Sequence, residues 1–280
     1  MPKTIAILFH ENEKHFCFKN YNISIMAKIW RDDGYSIKLV YGIKRFVPAD
    51  ICFVHVDLSV VPDAYIQFAN CYPVVINGRI KNILKSKISK NLVKEKDNYQ
   101  GSVIVKTDRN HAGWPESLST ENLTQVILKQ LMRRTGMGRQ NLMSQSDYRV
   151  FPNTDKVPER YFREKRYVVE KFLPERHEDL YCVNYHKFFG GYHHNIKLFS
   201  KNPIVSGANS VRREYIAPHP EILKVQDQLE MDYGKLDYCI VNNRVVLLDA
   251  NKTVGVTRSK VTKQHYDLIR QQAVQLYSYL

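Results

Sequence analysis

Two short apolar runs near the C-terminal end, LDYCIV and RVVLLDA, stand on either side of Asn242 and Asn243 and constrain the chain more than any other stretch. Runs rich in β-branched and aromatic residues and bounded by asparagine predict two antiparallel strands closed by a tight turn. Asp237 lies at the start of the first run, and Asp249 and Asn251 lie at the end of the second. The turn length decides what these polar residues do. If the turn takes in Asn242, Asn243 and Arg244, Val241 faces Val245 and Asp237 lies opposite Asp249, with Asn251 two residues further on the same face. The Cβ atoms of an opposed pair are about 5 Å apart, near enough for oxygen ligands to converge on a hard cation such as Mg²⁺. A two-residue turn instead puts Asp237 and Asp249 on opposite faces, where each is an ordinary strand-end acid.

The rest of the chain divides by its periodicities. TIAILF, SIKLVYG, ADICFVHV and YPVVING predict strands, and NISIMAKIWRDDG between the first two has helical spacing ending at Gly34. Strands alternating with helices predict a parallel sheet, so residues 1–78 form a small α/β domain. GRIKNILKSKISKNLV then predicts a basic helix, and GSVIVKTD a strand whose Ser102, Ile104 and Lys106 share one face. RNHAGWPE is a loop, ENLTQVILKQLMRR a helix capped by Gly136, and the stretch up to Lys165 a connection with little regular structure. From RYVVEKFLPE onward the pattern becomes antiparallel, with GGYHHN as a hairpin turn that exposes His193 and His194, and the chain closes on an amphipathic helix. The fold class predicted is α/β, with α+β character in the C-terminal half.

Composition bounds the function. A hydrophobic content of 44% over 280 residues supplies a real core. The five cysteines are scattered without a close pair, which argues for reduced core thiols and against a zinc or redox motif. The N-terminal apolar run is too short for a signal peptide and no run approaches a membrane span, so the expectation is a cytoplasmic protein with no membrane partner. A formal charge of +14 suits an acidic partner. The basic residues are spread along the chain, so a nucleic-acid role rests on net charge alone.

An acid on one strand, then acid-x-Asn at the end of the next, follows an apolar VVEKFLPE hinge and a strand closing on lysine in VIVK. These elements, in this order and across essentially the whole chain, resemble the ATP-grasp superfamily. The resemblance implies an ATP-grasp fold with a small parallel domain at 1–78, a central subdomain with the phosphate loop at 79–169, and a C-terminal subdomain with the metal hairpin at 170–280. It implies ATP and Mg²⁺ as cofactors. Lys106 corresponds to the strand lysine that reaches the phosphates and Lys87 to the helix lysine before it, with His111 and Gly113 in the phosphate-covering loop. The backbone of Lys171, Phe172 and Leu173 would meet the adenine edge, Glu170 the exocyclic amine, and Glu178 or Asp179 the ribose. Asp237, Asp249 and Asn251 would hold the metal. Lys197 and one of Arg212 and Arg213, with Arg212 favoured, would contact the transferred phosphate, and His10 could line a substrate crevice. The chain departs from the pattern in its glycine-poor RNHAGWP loop, in Asp249 where glutamate is commoner, and in Lys252 and Val254 of NKTVG.

The activity this implies is ATP-dependent ligation. The γ-phosphate passes to a substrate carboxylate, and an amine or other nucleophile attacks the acyl phosphate. No protein nucleophile is needed, and the positive charge suits an acidic or peptide-like small substrate. The rival expectations are a nucleotide-binding regulatory module without turnover and a basic nucleic-acid-associated protein.

Overall fold

The computed structural model of the chain describes residues 3–15, 18–113, 116, 147–256 and 261–280, with the side chains of 14, 15, 111 and 112 left out. Strands β1 (Thr4–Phe9), β2 (Ser36–Tyr41), β3 (Ile51–Val54) and β4 (Val74–Ile76) form a parallel sheet in the order β2-β1-β3-β4. Helix α1 (Asn22–Asp32) buries Ile23, Met26, Ala27 and Trp30, the i, i+3, i+4, i+7 stripe that pins it to the sheet. The chain leaves it through Gly34, whose φ of +94° is a torsion that glycine adopts without strain. Helix α2 (Asp63–Ala69) follows β3. Because β2 and β3 lie on opposite sides of β1, a crevice opens beyond the carboxyl ends of β1 and β3.

The sequence after β4 predicts one long helix over 78–93, but only α3 (Lys85–Ile88) forms. Its backbone bonds to neighbours instead: Val61 N–H donates to Lys81 O, Ile83 N–H to Ser59 O and Val93 N–H to Val169 O. Tertiary partners therefore outcompete helical propensity. Antiparallel strands β5 (Val103–Thr107), β6 (Arg149–Phe151) and β7 (Tyr167–Lys171) make a second sheet in the order β6-β5-β7, with the short helix α4 (Arg160–Arg163) beside it. Val103, Val105 and Val169 pack with Val157 and Tyr161, while Ile104, Lys106, Val168 and Glu170 alternate to the other face. The predicted helix ending at Gly136 lies outside the described residues.

The third sheet is antiparallel: β8 (Glu175–His177), β9 (Leu180–Phe189), β10 (Tyr192–Ser200), β11 (Arg212–Ile216), β12 (Tyr233–Val241) and β13 (Arg244–Asn251), in the order β11-β10-β9-β12-β13 with β8 on β9. Helix α5 (Pro220–Gln228) covers one face, where Ile222 joins Phe188, Leu236, Tyr238 and Ala250. The last helix, α6 (Lys263–Ala273), returns to the N-terminal sheet: Ile269 and Ala273 share a core with Ile23 and Trp30, and Trp30 Nε1–H donates to Ala273 O at 2.9 Å. Phe189 and Tyr233 enter the same core, so the third sheet is packed directly against the first. Of the described cysteines, Cys52, Cys182 and Cys239 are buried thiols; Cys71 is exposed.

Candidate active site

The hairpin β12–β13 turns on two residues, the shorter of the two alternatives that the sequence leaves open. Val241 faces Arg244, and Asn242 and Asn243 have φ of 50° and 57°, the paired left-handed torsions of a type I′ turn. Unbroken pairing from such a turn would separate the two acids. It is broken: Tyr238 faces Leu247, and the next pair is Asp237 with Asp249. Leu248 is the extra residue of a β-bulge, and one extra residue restores the phase that the short turn inverts. Asp237 and Asp249 thus end up opposed.

From that pair two cross-strand rows run over the same face. The first is Asp249, Asp237, Tyr185, Ile196 and Tyr215; the second, two residues along, is Asn251, Lys235, Lys187 and His194. A third row, Tyr233, Phe189 and Tyr192, continues toward the N-terminal sheet. Gly234 lets β12 lie close at this point, since a Cβ there would stand 2.7 Å from Asn251 O.

Lysines reach the rows from two other elements. Lys85 of α3, only 3% exposed, stands 3.1 Å from Asp249 Oδ1 and donates to Asn110 Oδ1 at 3.1 Å, while Asn110 Nδ2 donates to Ala250 O at 2.6 Å. Burial pulls the Lys85 pKa down, but Asp249, Tyr148 and Glu170 together more than offset it, and the ammonium is held above the ordinary lysine range. Lys106 on β5 pairs with Glu170 on β7 at 2.5 Å, both buried. Lys235 pairs with Asp237 at 2.9 Å. Burial, with the charge of Asp249, drives the Asp237 pKa up against the pull of Lys235. The cleft is therefore lined by lysine–acid pairs that neutralise one another.

The chemistry of this set fits a hard cation. Asp237 Oδ1 and Asp249 Oδ1 are buried and accept no hydrogen bond; each has only a nearby ammonium. Two opposed carboxylates with spare oxygens, one of them repelling the other, suit Mg²⁺. Asn251 is less available, because its Oδ1 accepts from the Thr253 N–H at 2.9 Å and hydroxyl at 3.3 Å. Among the described residues no group of three or more His, Cys, Asp or Glu could hold a metal, so any ion here depends on two acids and an amide.

The structure redistributes several other expected roles. Lys87 is exposed, and Lys85, two residues earlier, occupies the cleft. Strand alternation puts Arg213, not Arg212, on the face of Asp237; Arg212 lies over the Phe199 ring at 3.9 Å and pairs with Glu214. Lys197 lies on the opposite face to Asp237 and pairs with Glu175 at 2.5 Å. Glu178 and Asp179 are exposed in the β8–β9 turn, whereas Glu175 is buried and accepts from Ile240 N–H and Asn184 Nδ2, each at 2.7 Å. The N–H groups of Lys171 and Phe172 donate to Asn91 O and Ser102 O at 2.8 Å, and Phe172 and Leu173 are half-buried. Gly113 closes a 3₁₀ turn with φ of +74°. The side chain of His111 lies outside the described residues. His193 and His194 are half-buried in β10 and not in a turn, which is formed by Gly190 and Gly191.

A second cluster lies in the crevice beyond β1 and β3, and of it the sequence reading touched only His10 and, as a departure from the family pattern, Lys252. Glu13 Oε1 accepts from the N–H groups of His10 at 2.9 Å and Asp57 at 3.0 Å, and its Oε2 is buried without a hydrogen bond. Burial, then the charge of Asp57, pushes the Glu13 pKa up to about 8. His55 is fully buried between Phe9 and Tyr21 with neither ring nitrogen bonded, and burial lowers its pKa to about 4. Lys252, next to Asn251, donates to the carbonyls of Val56 and Leu58; burial lowers its pKa to about 8. Thr253 links Asp57 to Asn251. The β12–β13 hairpin and the crevice thus form one polar system. The available signal was position: HENEK and HVDLS follow parallel strands.

No family model matches the sequence, and no curated protein matches it. Solved structures do resemble its fold. A RiPP-associated ATP-grasp ligase from Chryseobacterium gregarium, in complex with ADP and a leader and core peptide, is 11% identical with a TM-score of 0.51, over 100% of this chain and 98% of that one. Macrocyclase MdnC from Microcystis aeruginosa, bound with precursor peptide MdnA, is 10% identical with a TM-score of 0.50, over 98% of this chain and 99% of that one. At such identity the likeness concerns the fold alone. Taken with a small parallel sheet, then a three-stranded and a six-stranded antiparallel sheet, it shows that the chain has the ATP-grasp fold.

Proposed function

We propose that the protein is an ATP-dependent ligase that activates a substrate carboxylate. The observation that carries this is the convergence of Lys85–Asp249, Lys106–Glu170 and Lys235–Asp237, with the two aspartates directly opposed. Residues 79–169 and 170–280 clasp the nucleotide between the second and third sheets, and 1–78 supplies the substrate crevice. Lys85 and Lys106 meet the phosphates, Glu170 and the Lys171–Leu173 backbone the adenine, and Glu175 is better buried than Glu178 to take the ribose. Asp237 and Asp249, with Asn251 after rotation of its amide, would hold Mg²⁺. That ion, when bound, supplies charge neutralisation along the phosphates.

In the reaction a carboxylate oxygen forms a bond to the γ-phosphorus while the β–γ bridging P–O bond breaks and ADP leaves. An amine then forms the C–N bond, phosphate departs, and the amine proton passes to solvent. Lysines that exchange a carboxylate partner for a phosphate are already in place, so stabilisation costs little reorganisation. Both solved neighbours carry peptides, and the charge of +14 suits an acidic one, which supports a peptide-like substrate.

The test is titration calorimetry with a non-hydrolysable ATP analogue, with and without Mg²⁺. Binding that strengthens with Mg²⁺ and is lost in Lys85→Met supports the reading. Absence of binding at millimolar analogue refutes it, and analogue binding with no phosphate release from ATP itself across a screen of carboxylates and amines would instead mark a regulatory module.

A further inference from the structure

Lys187 has no part in the pairs described above, and its position is unusual. It stands directly across from Lys235 on β12 and directly across from His194 on β10. Like charges in opposed positions repel. Among the described residues the fold does not relieve that repulsion: Lys187 makes no ion pair, and Asp237, the one acid that acts on it, is engaged by Lys235 at 2.9 Å. Arg213 and His265 of α6 also lie close to Lys187. Burial, then Lys235, lowers the Lys187 pKa to about 8, and the same neighbourhood with burial lowers that of His194 to about 4. If Asp237 turns to a metal, Lys235 also loses its acid, and two opposed cations are left.

We infer that Lys187 and Lys235 form a carboxylate-binding subsite that holds the acid group of the substrate one row from the opposed aspartates. The inference rests on the ligase reading above. Successive rows on one strand face are about 7 Å apart, so a carboxylate bridging the two ammonium groups lies within reach of a phosphate held at the Asp237–Asp249 row. The far side of the subsite is closed by Tyr233 and Phe189, which are fully buried in the core shared with the N-terminal sheet, so the remainder of the substrate extends away from that row. An amide in place of the acid would leave both ammonium groups without a counter-charge. The subsite therefore selects for a carboxylate and against its neutral isostere.

The test uses the reactivity of Lys187 itself. The full-length protein is acetylated briefly at pH 8 with acetic anhydride, and the modification rates of Lys187 and exposed Lys87 are read by mass spectrometry, with glutarate or neutral glutaramide as the probe. Glutarate is expected to slow Lys187 at least fivefold and saturably, with glutaramide inert and Lys87 unchanged under both. A blocked Gly-Glu-Gly peptide and a tripeptide with a free C-terminal carboxylate distinguish a side-chain acid from a terminal one by which protects at lower concentration. Equal protection by glutaramide, or none by glutarate, overturns the subsite. Complete protection by Mg-ATP alone also overturns it, because Lys187 would then belong to the nucleotide phosphates. In the same preparation, absence of a thermal shift with Mg-ATP would sink the ligase reading separately.

Discussion

Lys106 and Glu170 offer the sharpest energetic test, because both side chains are almost wholly buried, at 7% and 3% exposure, and stand 2.5 Å apart. Deleting one partner of such a pair leaves an uncompensated charge in a poorly solvated place, which costs about 3–5 kcal/mol. For a chain of this size each kcal/mol moves the melting temperature by about 2–4 °C, so Lys106→Met should lower it by about 6–20 °C. Replacing both partners removes both charges. The double variant Lys106→Met/Glu170→Leu fills similar volume with apolar atoms and should recover most of the loss, to within about 1–2 kcal/mol of the parent. The assay is urea unfolding of the four proteins of the cycle, with the interaction energy taken from the midpoints and slopes. If the destabilisation of the double variant equals the sum of the two single ones, so that the coupling is below about 0.5 kcal/mol, the pair contributes no mutual stabilisation and the description of the cleft as self-neutralised is wrong. Both variants should also lose the stabilisation by Mg-ATP, which at a hundredfold excess over Kd amounts to about 2.7 kcal/mol in the parent.

Three further outcomes are expected. Lys85→Met should weaken ATP-analogue binding at least tenfold, about 1.4 kcal/mol, while Lys87→Ala changes it less than about twofold; the reverse order in calorimetry would return the role to Lys87. Asp249→Asn should cut Mg²⁺-dependent affinity by at least tenfold and, because Lys85 loses its counter-charge, also destabilise the free protein by about 1–3 kcal/mol in denaturant titration. Unchanged stability there would mean that Asn110 alone suffices for Lys85. Glu13 has a folded-state pKa raised from 4.5 to about 8, so its contribution to stability is complete below pH 4.5 and is lost as pH rises to about 8. Glu13→Gln keeps the oxygen that accepts from His10 and Asp57, and its stability relative to the parent should rise by about 1.4 kcal/mol per pH unit across that window and level off above it. A difference that stays constant with pH would show that Glu13 titrates normally.

Sequence periodicity determined the parallel N-terminal sheet, the lysine-bearing face of Ile104 and Lys106, and the antiparallel C-terminal half, because burial of alternating or helical stripes is a local property of the chain. The motif order singled out Asp237 and Asp249 as candidate metal ligands, without determining how they meet. The turn that forms is the two-residue alternative, which by itself would separate them, and the bulge at Leu248 that restores the phase leaves no mark in a hydrophobic pattern, since Leu247 and Leu248 are both apolar. Only tertiary structure decided which lysine of the 78–93 segment faces the cleft. That segment spends its backbone bonds on Ser59, Val61 and Val169 instead of on a helix, and so it presents Lys85 inward and Lys87 outward. The same holds for Lys187, Lys252, Glu13 and His55, which have no spacing in common. Their burial, and the pKa shifts that follow from it, come from sheets packed against one another across more than a hundred residues of chain. Desolvation depends on what covers a side chain, and that is settled when the sheets meet.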